Sequence, residues 1–281
     1  MNIEVKNIKY KYEDYSKENK YALNDCSFEV FDNDFLSIIG ETGSGKSTLA
    51  LHLNGLLKAN SGDILIDGKS IYAKEYDLNK LRYNIALVFQ YPEYQLFAET
   101  VIDDVIFGAI NKGIKKDEAI CKAKDILYSF GFIDSDFNKM PFMLSGGEKR
   151  KVAIAGILIM EPKVLILDEP EAGLDPISKK ELFLLLKRLN EQGKTIIFIT
   201  HNLEDSLEYA KRVLIMKKGE VIACDETYKI FNDEEVLKKA SIVKPDQLLL
   251  VDELKNKGFH FGINTIKQDD IIREIINNKN D

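Results

Sequence analysis

The sequence has no long apolar run: the longest, Val152 to Met160, is about half the length needed to cross a bilayer and stops at Glu161-Pro162. No segment is expected to span a membrane. A surplus of positive charge is missing too, since 39 Lys and Arg stand against 46 acids for a net charge of −7. No whole-molecule field would draw in a polyanion, which counts against nucleic-acid binding outside a local basic patch. Cysteine is scarce. Cys26, Cys121 and Cys224 lie far apart without metal-like or redox spacing, as expected for reduced thiols of a cytosolic protein. The opening "MNIEVKNIKY" lacks the basic-then-apolar order of a secretory signal and the Arg-rich, acid-poor make-up of a transit peptide. No repeat or low-complexity tract is present.

What remains is a globular composition, 45% hydrophobic and 30% charged over 281 residues, enough for one large domain with an appendage. Residues 3–12 and 21–31 favour strand, with the polar insert "EDYSKENK" between them as a turn or loop. "FLSIIG", "NIALVF", "KVLILD" and "KTIIFIT" read as short buried strands, and "SGDILIDGKSI" and "RVLIMKKGEVIACD" as hairpins. Helical spacing marks "KSTLALHLNGLL", "TVIDDVIFGAI", "KDEAICKAKDILYSFG", "GEKRKVAIAGILIM" and "SKKELFLLLKRLNEQG". Buried strands alternating with helices imply an α/β fold with a parallel sheet covered on both faces. The helical stretch between "NIALVF" and "KVLILD" is too long for a loop and is expected to form a subdomain of about 91–160. From about residue 226 onward a mixed tail of small helices and strands is expected.

Four sequence features carry chemistry. "GETGSGKST" comprises Gly40, Glu41, Thr42, Gly43, Ser44, Gly45, Lys46, Ser47 and Thr48, and fits G-x-x-x-x-G-K-[ST] between a strand and a helix. Its glycines let backbone N–H groups face phosphate oxygens, Lys46 would reach the β and γ phosphates, and the Ser47 hydroxyl would ligate Mg²⁺. "KVLILDEP" ends a buried strand in Asp168, which fits a Mg²⁺ partner, and Glu169, which fits a base or water-orienting group. In "LSGGEKR", Ser145 and Glu148 form a capping box ahead of a helix, while Gly146 and Gly147 leave its first turn open to an anion; both readings can hold together. His201 follows the strand "TIIFIT" at its carboxyl end, the usual address of a ligand site in an open α/β sheet. Asp175-Pro176, by contrast, reads as a helix start.

In this order, "GETGSGKST", Gln90, "LSGGEKR", "VLILDEP", "AGLD" and His201 resemble the ATP-binding-cassette (ABC) ATPases across residues 3 to about 225. The resemblance implies a P-loop NTPase (RecA-like) core with an antiparallel β subdomain, an inserted helical subdomain and a small C-terminal extension. It divides the chain into a cassette, 1–225, and a C-terminal domain, 226–281. It implies ATP hydrolysis with ATP and Mg²⁺ bound, Glu169, His201, Lys46 and Gln90 being catalytic and Ser47, Gln90 and Asp168 holding the metal. Tyr12 matches the aromatic that stacks on adenine, Gln90 the glutamine joining the γ-phosphate site to the helical subdomain, and His201 the histidine on the γ-phosphate. Ser145, Gly146, Gly147 and Glu148 match the signature loop that closes over the ATP of a second subunit.

The wording "FQYPEYQLFAETVIDDVIFG" further resembles the ATPases of energy-coupling factor (ECF) transporters, importers of cobalt and vitamins, and the tail "KPDQLLLVDELKNKGFHFGINTI" resembles their C-terminal domain. This implies a protein peripheral to the cytoplasmic face of the cell membrane. Its partners would be a second ATPase subunit, identical or more in keeping with the likeness a related one, a transmembrane coupling subunit docked near Gln90 to Phe107, and indirectly a membrane subunit that chooses the substrate. Tyr91, Tyr94, Phe97 and Phe107 would line the docking groove or else be subdomain core. Two positions depart from the common pattern: Glu148 stands where Gln is usual, and Glu171 where Thr or Ser precedes "AGLD", which would place an extra carboxylate near the triphosphate. A soluble ABC ATPase acting on nucleic acid would be expected to carry coiled coils or tandem cassettes. A P-loop kinase or GTPase would not need "LSGGEKR" or His201, and no "NKxD" run ends a strand.

Overall fold

A computed structural model describes residues 1–12 and 21–278, so the turn expected at "EDYSKENK" lies outside the described residues. In chain order the elements are β1 (Ile3–Tyr10), β2 (Leu23–Val30), β3 (Phe35–Ile39), α1 (Lys46–Leu53), β4 (Ser61–Ile66), β5 (Lys69–Ser70), α2 (Leu78–Asn84) and β6 (Ile85–Val88). The inserted helices follow: a 3₁₀ turn (Pro92–Gln95), α3 (Val101–Asn111), α4 (Lys116–Ser129), α5 (Asp134–Phe137), a second 3₁₀ turn (Pro141–Met143) and α6 (Gly146–Leu158). The chain then returns to the sheet with β7 (Val164–Asp168), α7 (Pro176–Glu191), β8 (Thr195–Ile199), α8 (Leu203–Tyr209), β9 (Arg212–Lys217) and β10 (Glu220–Glu226). It ends in α9 (Thr227–Asn232), α10 (Glu234–Ala240), α11 (Asp246–Asn256) and α12 (Gln268–Asn278).

The short apolar runs pair as expected. One sheet has the order β10-β9-β3-β8-β7-β6. It is parallel except for the β9–β10 hairpin. Alternate residues of each strand face opposite ways: Leu165 and Leu167 of β7 enter one core with the inserted helices and α7, Val164 and Ile166 the other. That second face is covered by α1 and by the antiparallel sheet β2-β1-β4-β5, which supplies Ile3, Val5, Phe28 and Ile64. Burial on both sides explains why the strands are nearly continuous in Val, Ile and Leu.

The tail corrects one expectation. Among the described residues no strand follows Glu226, and Ile230, Phe231, Leu237 and Leu248 bury their side chains in the same core as the sheet and inserted helices. Among the described residues no helix is long and apolar enough to cross a membrane.

Candidate functional site

The carboxyl ends of β3, β6, β7 and β8 place four sequence motifs at one end of the parallel sheet. After β3 the chain wraps through three glycines at φ values L side chains avoid, Gly40 (149°), Gly43 (78°) and Gly45 (104°), and enters α1 at Lys46. Lys46 Nζ donates to the carbonyls of Gly40 at 2.8 Å and Glu41 at 3.0 Å, back across the loop. Burial pulls its pKa down, opposed by the charges of Glu169 and Asp168. Asp168 is shifted the other way: burial raises its pKa against a hydrogen bond from Ser47, with Glu169 adding to the rise and Lys46 opposing it. For both groups burial outweighs the nearby opposite charges, and binding a polyanion with its cation would supply the missing balance.

Glu169 is held by one side-chain hydrogen bond and faced by a histidine. Gln90, just past β6, donates its side-chain N–H to Oε2 of Glu169 at 2.7 Å, and His201 Nδ1 stands 3.6 Å from Oε1. Its backbone is left-handed at φ 47°. Its N–H is tied to the carbonyl of Ile199 at 3.0 Å. Tyr12 reaches the loop from beyond β1, its hydroxyl 3.1 Å from the Thr48 hydroxyl. The Tyr12 ring is backed edge-on by Tyr10 at 4.9 Å, and Tyr10 by buried His52 at 4.6 Å. Together Tyr12, Thr42, Gly43, Lys46, Ser47 and Glu169 line a cavity of about 320 Å³. A larger cavity of about 1180 Å³ between α7, α8 and the C-terminal helices lies away from these groups; chemistry, not volume, marks the site.

The signature residues stand apart. Ser145 caps α6, its hydroxyl accepting from the Glu148 N–H at 3.3 Å while the Glu148 carboxylate accepts from the Ser145 N–H at 2.8 Å, so Glu148 serves the box as Gln would. A Cβ at Gly146 would meet nothing within 4 Å. None of Ser145 to Glu148 lines the phosphate-loop cavity. An open helix start without a ligand surface in its own chain fits a site completed from elsewhere.

Among the described residues no three His, Cys, Asp or Glu side chains group so as to hold a metal ion. The hydroxyl and carboxyl of Ser47 and Asp168, hydrogen-bonded to each other, are nonetheless the sparse hard-oxygen pair that suits Mg²⁺, a cation that takes much of its shell from water and substrate phosphates.

Exposure decides between the two readings of the aromatic cluster. Tyr94 is 83% exposed, Phe97 66% and Phe107 49%, so they are a surface and not core, and Phe97 meets Phe107 edge-on at 4.8 Å. Phe142 and Met143, which sequence reading passed over, are exposed as well. Missed too were Glu93 and Arg150, an ion pair at 2.8 Å between residues 57 apart in sequence.

The expectation that Glu171 faces the triphosphate is overturned. Its side chain is buried, one oxygen accepting from the Thr200 hydroxyl and Oε2 accepting nothing from the described residues. Buried Asp205 adds a second carboxylate, held by Lys179 Nζ at 2.7 Å. Burial raises the Glu171 pKa, opposed by the Thr200 hydrogen bond and reinforced by Asp205. A raised carboxyl pKa means that the folded state binds more protons, so this group's contribution falls as pH rises from the ordinary glutamate range through the raised value. Glu171→Gln is therefore expected to raise Tm at pH 8 by roughly 2 °C, the gain shrinking toward pH 5. Thermal melts at the two pH values check it; an equal loss at both would refute the assignment.

Comparison with known proteins shows the family. Residues 23–172 match the ABC transporter family. The chain is 43% identical over its full length to the energy-coupling factor transporter ATP-binding protein EcfA2 of Clostridium perfringens, covering all of that protein. It is 42% identical to EcfA2 of Clostridioides difficile over 98% of this chain and 97% of that one. The structure of cbiO1 from Clostridium perfringens, part of the ABC transporter complex cbiONQ, superposes with a TM-score of 0.75 at 38% identity, over 90% of this chain and 98% of that one. A dimeric bacterial ABC transporter cassette gives 0.71 at 30% identity, over 80% and 98%. The family match over residues 23–172 and the full-length likeness to EcfA2 proteins place this chain, with its phosphate loop, acids, glutamine and histidine on one sheet end, in the ABC transporter family, among the ATP-binding proteins of energy-coupling factor transporters.

Proposed function

We propose that the chain binds MgATP between its own phosphate loop and the signature loop of a second cassette, hydrolyses the γ-phosphoryl bond, and passes the closure to a membrane subunit seated on its aromatic groove. The observation that carries this is the Glu169 carboxylate, fixed by the Gln90 hydrogen bond and faced by His201 at 3.6 Å, beside Lys46 and the Ser47–Asp168 pair. Phosphoryl transfer asks for positioning and charge stabilisation more than covalent help. Lys46 and the loop N–H groups take up phosphate charge. Glu169 accepts a hydrogen bond from the attacking water and aligns it, while His201 steadies the transferring group. Tyr12 offers its ring to adenine. Ser47 and Asp168, with the Gln90 amide oxygen, would hold Mg²⁺, whose charge offsets that of the β and γ phosphates. Ser145 to Glu148 of the second cassette bring helix-start donors to the opposite side of the nucleotide.

The cassette, 1–225, carries these roles, and the helices from 226 onward form the appended unit. The similar structure cbiO1 is part of the ABC transporter complex cbiONQ. By the same logic this chain sits at the cytoplasmic face of a membrane, paired with a related ATPase and touching the substrate-choosing subunit only through the coupling subunit. Exposed rings at Phe97 and Phe107 are the natural socket for an inserted helix. Phe97→Asp is expected to weaken capture of the membrane subunit by roughly 30-fold, the scale of one lost hot spot, with ATP affinity unchanged. Affinity capture from detergent-solubilised native membranes, read by mass spectrometry, tests both parts. Salt-sensitive retention on DNA without any membrane partner would replace this reading with a nucleic-acid role.

A further inference from the structure

Beyond the groups that touch nucleotide, one buried side chain ties three motifs together. Arg150, on the first turns of α6, is 2% exposed. Its Nε and one terminal nitrogen donate to the two oxygens of Glu93 at 3.1 and 2.8 Å. The other terminal nitrogen donates to the carbonyls of Pro170 at 2.5 Å and Ala172 at 2.9 Å. Glu93 sits in the 3₁₀ turn between Gln90 and the exposed rings, whereas Pro170 and Ala172 belong to the turn that begins at Glu169. Tyr91 closes the same knot. Its ring lies 5.9 Å from the guanidinium and packs on Gly173, where an added Cβ would come within 3.3 Å of it.

The charge is not explained by stability alone, because a buried ion pair is often no better than well-packed apolar groups. A planar fork supplies direction instead, two N–H groups on a carboxylate and two on backbone carbonyls. It joins two turns in an unfavourable backbone conformation, at Tyr91 (φ 55°) and Glu169 (φ 47°), leaving the ends of neighbouring strands β6 and β7. Such conformations persist only where the surroundings over-determine them.

We propose that Arg150, through Glu93 and the carbonyls of Pro170 and Ala172, is a positioning residue for hydrolysis: it holds the turn carrying Glu169 in register with the signature helix and the aromatic groove. This rests on the reading of Glu169 as the group that orients water. Arg150 touches no reacting atom. Its loss should therefore lower the rate of the chemical step while leaving ground-state nucleotide binding intact.

The test uses the full chain in its complex with the second ATPase and membrane subunits, comparing wild type, Arg150→Lys, Glu93→Gln and the double variant. Lysine keeps the charge but not the fork, and glutamine keeps the shape but not the charge. Each single variant is expected to lose about 10-fold in kcat with KM for MgATP within about 2-fold and Tm within a few degrees of wild type. The double variant is expected to lose no more than the worse single one, because the two residues act as a unit. Unchanged kcat in a folded Arg150→Lys complex overturns the proposal, as does a multiplicative loss near 100-fold in the double variant. So does a loss of kcat that tracks Tm in every variant. If Arg150→Lys fails to fold, Glu93→Gln alone still decides between a selective kcat loss and none. A wild-type complex without ATPase activity would instead remove the underlying functional reading.

Discussion

A Glu169→Gln chain is expected to bind MgATP within a few-fold of wild type, to stay paired with its second cassette while ATP is present, and to turn over at least 100-fold more slowly. Shape is conserved: the amide oxygen of glutamine can accept from Gln90 where Glu169 Oε2 now does, at 2.7 Å. What disappears is the anionic acceptor that aligns water. Removing that charge also takes a like charge away from Asp168, whose pKa is raised in part by Glu169, so the Ser47–Asp168 pair ionises more readily and should hold its cation at least as well. Lys46 loses one of its two nearby anions, a smaller effect once triphosphate supplies others. Phosphate release together with size-exclusion chromatography in ATP separates the two consequences. Normal turnover, or loss of nucleotide binding in step with turnover, would take Glu169 out of the role.

How much of this was legible beforehand depended on whether the determining contact is local. The five-residue strands β3, β7 and β8 are each apolar at four positions, and the phosphate loop is written in glycines that its backbone requires. The Ser145–Glu148 box closes within four residues, so it too could be read and then found with a hydrogen bond in each direction. Apolar spacing carries helix α1 to Leu57, but it ends at Leu53. Gly55 turns left-handed there at φ 70°, and the N–H of Leu56 folds back to the carbonyl of Leu51, a glycine stop that apolar spacing overrode. Tail segments short enough to suit either period were settled by packing, with Ile230, Phe231 and Leu237 drawn onto the sheet side as helices.

Arg150 was invisible for the opposite reason. In sequence it is one more charge in "GEKRK", and only the fold brings Glu93, Pro170 and Ala172 around it. Glu171 misled in the same way: its neighbours in sequence are site residues, yet its side chain turns inward to Thr200 and Asp205, which come from the next strand end and helix. Position along a motif fixes where the backbone goes, and side-chain direction is decided by what packs behind it.

The phosphate loop offers the sharpest test of that rule, since Gly40→Ala and Gly43→Ala are chemically identical changes three residues apart with very different expected outcomes. At Gly40 the backbone has φ 149° and an added Cβ would lie 2.1 Å from the carbonyl oxygen of Met216 and 2.9 Å from Ser44 Oγ. The first neighbour is backbone of β9, held to β3 in parallel register through pairs such as Ile39 with Ile215, so it cannot swing aside as a flexible side chain could. Relief requires the end of β3 to move away from β9. That end carries the Gly40 carbonyl to which Lys46 donates at 2.8 Å, so the displacement passes directly into the loop and the lysine. Gly43 has φ 78° but nothing within 4 Å of an added Cβ, leaving only the left-handed conformational cost of about 1–2 kcal/mol. Gly40→Ala is therefore expected to lose about 3 kcal/mol or more, lowering Tm by roughly 6 °C or beyond, and to abolish measurable ATP binding. Gly43→Ala should melt within about 4 °C of wild type and retain weakened binding. Melting curves and fluorescent-nucleotide titration of the two proteins side by side measure this contrast. Equal behaviour would mean that β9 yields, and that the loop is shaped by its own glycines and not by the strand beside it.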